Sequence, residues 1–136
     1  MTTTYAAFVN ELEALSITGV NRSFTQGQPS SLNTADLPAQ WVDLPRGDAE
    51  PSTSEAGAYQ FNRYADLNIA LEPVGQNRRP TNFDAVLAMM DAVETALVTY
   101  GSSALVSASW ETKLVYLTIN TVDYWAVTTT VKRILA

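Results

Sequence analysis

The chain has 136 residues, a length that fits one domain with a single hydrophobic core. Hydrophobic residues make up 46% of the sequence and charged residues 16%, which excludes the weakly hydrophobic, highly charged composition of disordered chains. The formal net charge of −6 argues against nucleic-acid binding, since the basic residues form no run longer than Arg78-Arg79 or Lys132-Arg133. The low charged fraction favours an oligomer, because little polar surface is available to keep a monomer soluble.

Two residue types that carry much of protein chemistry are missing, since the sequence contains no cysteine and no histidine. Disulfides, thiolate nucleophiles, Ser-His-Asp triads and histidine zinc sites are therefore excluded. Residues 1–10 lack the basic start and apolar run of a signal peptide, and no apolar stretch is long enough to span a membrane. We therefore expect a soluble chain with no export address and no membrane contact.

The first part of the sequence predicts a short helix followed by a long irregular arm. Apolar residues recur at helical spacing over residues 5–15, behind threonines that can cap the first turn. A short extended stretch is predicted over residues 17–24. From Thr25 to Gly57 the sequence has no clear periodicity, and a connection of that length is normally functional, disordered or ordered by a partner. The arm therefore points toward assembly.

Strand patterns occupy two parts of the remaining sequence. Large and polar residues alternate over residues 58–72, with one irregularity near residues 63–66, and Pro73 ends this strand. The carboxyl-terminal part is rich in valine, threonine and aromatic residues, with turns predicted at Glu111-Thr112 and at residues 120–123. These turns divide it into three antiparallel strands. The three predicted strands cover residues 105–110, 114–120 and 124–134.

Between the strand regions lies the strongest helical pattern of the chain. Apolar residues recur at helical spacing from Phe83 to Leu97, with Thr81 or Asn82 as the cap and Gly101 as the stop. The order of elements predicts that residues 1–136 form a single α+β domain. We expect an antiparallel sheet with two helices packed on one face and a long irregular arm between the first helix and the main strands.

The acidic residues give little sign of chemistry. Those of the arm lie in a predicted open loop, where a general acid would lack a buried environment. Asp91 and Glu94 share a face of the predicted helix but supply too few oxygen ligands for a metal ion. We therefore interpret the carboxylates as solvated surface groups. The sequence predicts no enzyme and no catalytic, cofactor or metal site.

Two groups of residues are candidates for an interface. Trp41 is a large aromatic residue between two prolines, and it is either an interface anchor or part of a loop that covers the domain's own core. The arginines before the long helix could hold an anion, pair with acidic neighbours, or join two subunits of an oligomer. The sequence leaves these interpretations open. The candidate interface residues are Leu37, Trp41, Val42, Leu44, Arg78 and Arg79.

The order of elements and a few short segments can be compared with a known family. After the amino-terminal helix come the segment Leu37–Trp41, its continuation to Leu44-Pro45, the strand Tyr59–Leu71, one helix, and a final strand beginning at Tyr124-Trp125. This arrangement resembles the tail terminator and tail-completion proteins of long-tailed bacteriophages. The resemblance covers most of the chain and includes no catalytic motif.

The resemblance implies a structural virion protein that forms a ring, typically a hexamer. Such a ring caps the tail tube, stops its polymerisation and joins it to the head-side connector or stopper protein. DNA would pass through the ring without specific binding, which suits an acidic subunit. Assembly would take place in the host cytoplasm, and the finished protein would lie in the tail or neck of the virion.

Two alternatives to a terminator stay open. One is another neck or head–tail connector component, which sequence alone separates poorly from a terminator. An unrelated interpretation is a small monomeric ligand-binding α+β domain or a small hydrolase that uses carboxylates, either of which predicts a concave apolar pocket.

Overall fold

A computed structural model describes residues 4–53, 55–75, 79–103 and 107–135. Within these residues the chain forms two α-helices and a five-stranded sheet, so the fold is α+β as predicted. The elements are α1 (Tyr5–Glu13), β1 (Arg22–Ser23), β2 (Ala39–Pro51), β3 (Tyr59–Pro73), α2 (Phe83–Ser103), β4 (Ser107–Ile119) and β5 (Val122–Leu135).

The five strands form one mixed sheet in the order β1-β2-β3-β5-β4. The pairs β2–β3, β3–β5 and β4–β5 are antiparallel, whereas β1 runs parallel to β2. The expectation of an antiparallel sheet is therefore wrong at one edge. There, Arg22 and Ser23 of the predicted extended stretch pair with Ala39 and Gln40. β4 lies at the opposite edge.

The predicted irregular arm is wrong over much of its length, because residues 39–51 form β2. The ladder between β2 and β3 is interrupted at Leu44-Pro45, where Leu44 has a φ of 52° and the register shifts. This is a β-bulge, and it breaks the alternation by which a strand is recognised in a sequence. From Leu44 onward the side chains of β2 are exposed, so no apolar pattern marks the second half of the strand.

The irregularity predicted in β3 near residues 63–66 corresponds to the β-bulge of the neighbouring strand β2. The register passes from Asp43↔Asp66 to Arg46↔Tyr64, so Leu44 and Pro45 of β2 lie opposite Ala65 alone, and the one extra residue of the bulge is in β2. β3 has its own register shift farther along, between Ala70 and Glu72.

Both predicted helices are present, and each begins at a polar cap. The Oγ1 atom of Thr4 accepts a hydrogen bond from the backbone N–H of Ala7 at 3.1 Å. The Oδ1 atom of Asn82 accepts one from the backbone N–H of Ala85, also at 3.1 Å. Gly101 does not end α2, which continues to Ser103. Glycine adopts helical as well as left-handed backbone angles, so it permits a stop without imposing one.

The predicted three-stranded meander is a two-stranded hairpin. β4 pairs with β5 without a register shift, and it runs straight through the turn predicted at Glu111-Thr112. Polar residues in an edge strand can face solvent, so they need not mark a turn. The second predicted turn is confirmed at Asn120-Thr121, whose φ angles of 49° and 67° are those of a two-residue hairpin loop.

The main hydrophobic core joins side chains of both helices to the sheet. Alternate residues of β3, namely Ala65, Leu67 and Ile69, lie in the same cluster as the buried side chains of α1 and α2. α1 contacts β2 and β3, and α2 contacts β4 and β5. That both helices pack on one face of the sheet stays a prediction. A second cluster surrounds Trp41 and is covered by residues of the segment between β1 and β2.

Candidate interaction surfaces

The structure separates the candidate interface residues by burial. Trp41 is fully buried in the second cluster, and Leu37 packs against that cluster. Val42 lies in the main core. Leu44, at the bulge, is 63% exposed. Burial therefore favours the interpretation of Trp41 as a residue of the domain's own core and leaves Leu44 as the accessible member of the group.

The arginines before α2 are described only in part. Arg79 is exposed and lies close to the start of the helix, whereas Arg78 lies outside the described residues. An intersubunit ion pair through these residues stays a prediction.

A polar network lies on the sheet face that carries the even-numbered side chains of β3, here called the polar face. The Nδ2 group of Asn68 donates to Oδ1 of Asp43 at 3.0 Å, and the hydroxyl of Thr128 donates to Oδ1 of Asn68 at 2.7 Å. The indole N–H of Trp41 donates to Oδ2 of Asp43 at 3.0 Å. Because these residues come from β2, β3 and β5, their hydrogen bonds fix the three strands relative to one another.

The network makes stability depend on the ionisation of Asp43. Burial raises the pKa of the Asp43 carboxyl above its ordinary value of 3.8, and the hydrogen bonds from Trp41 and Asn68 only partly oppose this effect. Between the unfolded and the folded pKa, the folded chain binds a proton that the unfolded chain has released. The free energy of unfolding therefore falls as the pH rises through this window.

We expect the Asp43→Asn variant to lack this contribution. The free energy of unfolding of the wild type, measured relative to the variant, should be highest below pH 3.8 and should decline as the pH rises through the raised pKa of the folded state. Urea denaturation of both proteins at a series of pH values measures the difference. A difference that is constant with pH, or that grows as the pH rises, would contradict the raised pKa of the Asp43 carboxyl.

Two lysines lie on the polar face near the β4 edge. Lys132 pairs across the sheet with Tyr64 on one side and Ser109 on the other, and its ammonium group lies 5.8 Å from the Tyr64 ring centroid. Side chains alternate along a strand, so Lys113 of β4 shares this face with Ser109. Both lysines line a shallow cavity of about 330 Å³. They are the only lysines in the sequence.

The hairpin formed by β2 and β3 extends past the rest of the sheet. The last pair between β3 and β5 is Phe61↔Leu135, whereas β2 and β3 stay paired as far as Pro51↔Tyr59. Residues 47–62, here called the hairpin tip, contain no lysine or arginine. The tip is therefore acidic. Its carboxylates are Asp48, Glu50 and Glu55.

One side of α2 exposes a line of apolar residues, here called the apolar flank. Phe83, Leu87 and Val98 are between 43% and 55% exposed, Met90 is half-buried against the main core, and the four recur at helical spacing. Glu94, which lies in the same line, accepts a hydrogen bond from the indole N–H of Trp110 of β4 at 2.9 Å. The flank therefore lies beside the edge strand. It consists of Phe83, Leu87, Met90 and Val98.

Sequence reasoning missed the flank and the hairpin tip for different reasons. The apolar residues of α2 were treated as one helical pattern, although Phe83 and Leu87 lie about 60° and 100° from Val86 in the same sense around the helix, so they widen the apolar arc on one side. The width of that arc was the available signal. The tip was missed because its β2 half lay in the predicted arm, although its β3 half was predicted as a strand.

Two concave sites flank the other side of α2. A cavity of about 410 Å³ lies between the helix and the segment around Gly19, and Leu71, Val86 and Met89 are among its lining residues. A neighbouring cavity of about 420 Å³ is lined in part by Leu15 and Tyr100. Both volumes fall within the range of small-molecule sites.

Other kinds of site are not observed in the described ranges. No group of three or more carboxylates there is arranged to hold a metal ion. No helix in the same ranges is long and apolar enough to cross a membrane.

Comparison of the sequence with protein-family models and with curated proteins returns no match.

Proposed function

We propose that the chain is the subunit of a tail terminator, a structural ring that caps a bacteriophage tail tube and joins it to the head-side connector. The main observation in support of assembly is the apolar flank of α2. Phe83, Leu87 and Val98 are each at least 43% exposed along one side of a single helix. Aligned apolar side chains on a surface mark a contact with another molecule, because their burial removes apolar area from water.

The arrangement of surfaces is compatible with a ring. The flank lies beside β4, at one edge of the sheet, whereas β1 and β2 form the other edge. When two different surfaces of identical subunits meet, the contact is head-to-tail, and it closes into a ring if the rotation per subunit allows. A central channel in such a ring would pass DNA, and the net charge of −6 disfavours adhesion to phosphates.

The assignment to terminators in particular is supported by the order of the elements. The amino-terminal helix, the long strand β3, the single following helix α2 and the final strand β5 keep the order on which the resemblance depends. The difference lies in the predicted irregular arm, part of which forms the strand β2. A different neck component would self-associate through the same surface. Binding to tail tubes or to connector rings distinguishes it from a terminator.

A ligand-binding domain is the second candidate, and the cavity of about 410 Å³ beside α2 favours it. This cavity has an apolar wall formed by Leu71, Val86 and Met89. A small apolar molecule would fit its chemistry, and such a function requires no oligomer.

Solution mass and electron microscopy test the proposal together. We expect light scattering to show a ring-sized assembly of 14.8 kDa subunits, or negative-stain images to show the protein at one end of purified tail tubes. Binding to connector rings but never to tubes would instead indicate another neck component. A strict monomer that decorates neither would contradict assembly, and saturable binding of small apolar molecules by that monomer would support the ligand-binding domain.

A further inference from the structure

Four side chains at the hairpin tip form a surface that we call the tyrosine–arginine patch. Tyr59, Phe61 and Arg63 are odd-numbered residues of β3, so they lie on the face opposite to the polar face. Tyr5 of α1 completes the patch, because the guanidinium carbon of Arg63 lies 4.1 Å from the centroid of its ring. Tyr5 is 42% exposed and Tyr59 is 55% exposed. Tyrosine and arginine contribute much of the binding energy of protein interfaces, so this composition indicates a contact surface.

The patch depends on a close approach of Tyr5 to the backbone at Gly47. Gly47 pairs with Arg63 across the ladder between β2 and β3. A Cβ atom at Gly47 would collide with the hydroxyl oxygen of Tyr5, so the absence of a side chain lets the tyrosine ring lie over the ladder. The same hydroxyl accepts a hydrogen bond from a terminal N–H group of Arg63 at 3.4 Å. The fold therefore holds the aromatic ring over the cation.

Arg63 has no acidic partner among the residues that the structure describes. Its guanidinium carbon lies within 5.4 Å of the centroids of two aromatic rings, and its Nε–H group is buried without a hydrogen-bond acceptor. Asp48 and Glu50 pair with even-numbered residues of β3, so their carboxylates lie on the polar face. Glu11 binds the adjacent Arg133. A carboxylate from another molecule would supply the missing counter-charge, and charge-assisted hydrogen bonds to arginine are strong.

The apolar flank of α2 carries charge of the opposite sign. None of the 21 residues of α2 is basic, and Arg79 lies beyond its amino-terminal end. Glu94 is held by Trp110, whereas the exposed Asp91 makes no hydrogen bond or ion pair with the described residues. Asp91 lies about one turn from Leu87, in the middle of the flank. Both surfaces therefore combine exposed apolar side chains with an unpaired charge, and the two charges are opposite.

We propose that the apolar flank of one copy docks on the tyrosine–arginine patch of the next, where Asp91 faces Arg63. This inference rests on the proposed self-association and names the surface that receives the flank. Charge complementarity selects a second copy as the occupant, because the flank supplies the carboxylate that Arg63 lacks together with aliphatic side chains that cover the tyrosine rings. The charge pair sets the orientation of the contact, and apolar burial contributes most of its affinity.

The two surfaces lie on different parts of the molecule, as a ring requires. α1 and the hairpin of β2 and β3 carry the patch, whereas α2 carries the flank beside β4. α1 contacts β2 and β3, and α2 contacts β4 and β5. A contact between two different surfaces is head-to-tail and leaves one patch and one flank free at the ends of each chain of copies, so assembly continues until the ring closes.

Cysteine cross-linking tests which surfaces meet, because the sequence contains no cysteine of its own. Val98→Cys places a thiol in the flank and Tyr59→Cys places one in the patch, both at exposed positions. The two proteins, one of them labelled with ¹⁵N, are mixed in equal amounts, assembled alone or on tail tubes, and treated with a short bismaleimide. We expect mainly linked pairs that contain both variants. Ser109→Cys, exposed on the polar face, replaces Tyr59→Cys in the control mixture and should give few linked pairs.

A double-mutant cycle tests the charge pair. Arg63→Gln and Asp91→Asn should each weaken self-association by about three- to tenfold, and the double variant should be little weaker than either single variant. Arg63 is half-buried, so the thermal midpoint of its variant is measured as well. Asp91 is exposed and tests the pair by itself, because the affinity of the wild type should fall more steeply with added salt than that of Asp91→Asn. Glu111→Gln removes an exposed carboxylate from the polar face and should alter association by less than about twofold.

The outcomes separate this inference from the proposed function. If the wild type assembles and caps tubes while Asp91→Asn assembles with unchanged affinity and salt dependence, the docking is overturned and the terminator function stands. Linked pairs formed mainly between copies of the Val98→Cys protein would also overturn it, since they indicate a symmetric contact between flanks. Losses that add in the double variant would overturn the pairing of Arg63 with Asp91. Variants that lose tube binding but keep self-association would overturn a second copy as the occupant, and a wild type that stays monomeric in solution and on tubes overturns both proposals.

Discussion

Replacement of Trp41 by alanine is expected to lower the free energy of unfolding by about 3–5 kcal/mol, a large share of the stability of a domain of this size. Trp41 is fully buried among Ala70, Ile119 and Tyr124, so truncation leaves a cavity that the rigid sheet cannot close. It also removes the indole N–H that donates to Asp43 at 3.0 Å. Thermal and urea unfolding of the purified variant measure the loss.

Leu44→Ala is the matched control, because this neighbour has the same apolar character but is 63% exposed. We expect it to change the free energy of unfolding by no more than about 0.5 kcal/mol. If Trp41→Ala folded as stably as the wild type and lost only assembly, Trp41 would be an interface anchor and its burial in the second cluster would be contradicted. Equal destabilisation by both variants would also contradict the observed difference in burial.

Leu87→Glu is expected to weaken self-association by about 30-fold or more while leaving the thermal midpoint within a few degrees of the wild type. Leu87 is 43% exposed in the middle of the apolar flank, so the carboxylate is hydrated in the free subunit. In the assembled state it would lie among apolar side chains without a partner, and that desolvation is costly. Sedimentation and tube decoration by the same preparation measure the effect.

Thr95→Glu is the control for this change. Thr95 is exposed on α2, as Leu87 is, but it does not belong to the apolar flank. We expect its association to stay within about twofold of the wild type. Normal assembly of Leu87→Glu would contradict the flank as the contact surface, and a large drop in its thermal midpoint would mean that Leu87 supports the fold instead.

The helices were predicted well because their signals are local. The spacing of the apolar residues and the side chains of Thr4 and Asn82 act within one or two turns of the chain. The hairpin loop at Asn120-Thr121 was recognised for the same reason, since a turn depends on its own residues.

The strands were predicted less well because their signals come from partners far along the chain. The second half of β2 is exposed and lacks an apolar pattern, yet it is ordered by pairing with residues 59–64 of β3. In β4 the polar residues Glu111 and Thr112 suggested a turn, but pairing with β5 carries the strand through them. The β propensity of a segment does not show which strand it pairs with when that partner lies far away in the sequence.

The candidate interface changed most between sequence and structure. The sequence left Trp41 as either an interface anchor or part of a loop over the domain's own core, and the fold turns Trp41 inward and exposes Leu44 at the bulge. The surfaces that replaced them combine distant segments. Lys113 and Lys132 line the same shallow cavity only because β4 pairs with β5.

Local sequence was sufficient for the helices, their caps and the final hairpin loop, and the absence of histidine and cysteine was sufficient to exclude whole classes of chemistry. Long-range pairing was needed for the course of β2, the length of β4, and the burial of Trp41. The physical reason is that helix formation depends on residues within a few positions, whereas a strand edge and an exposed flank exist only once the sheet has assembled.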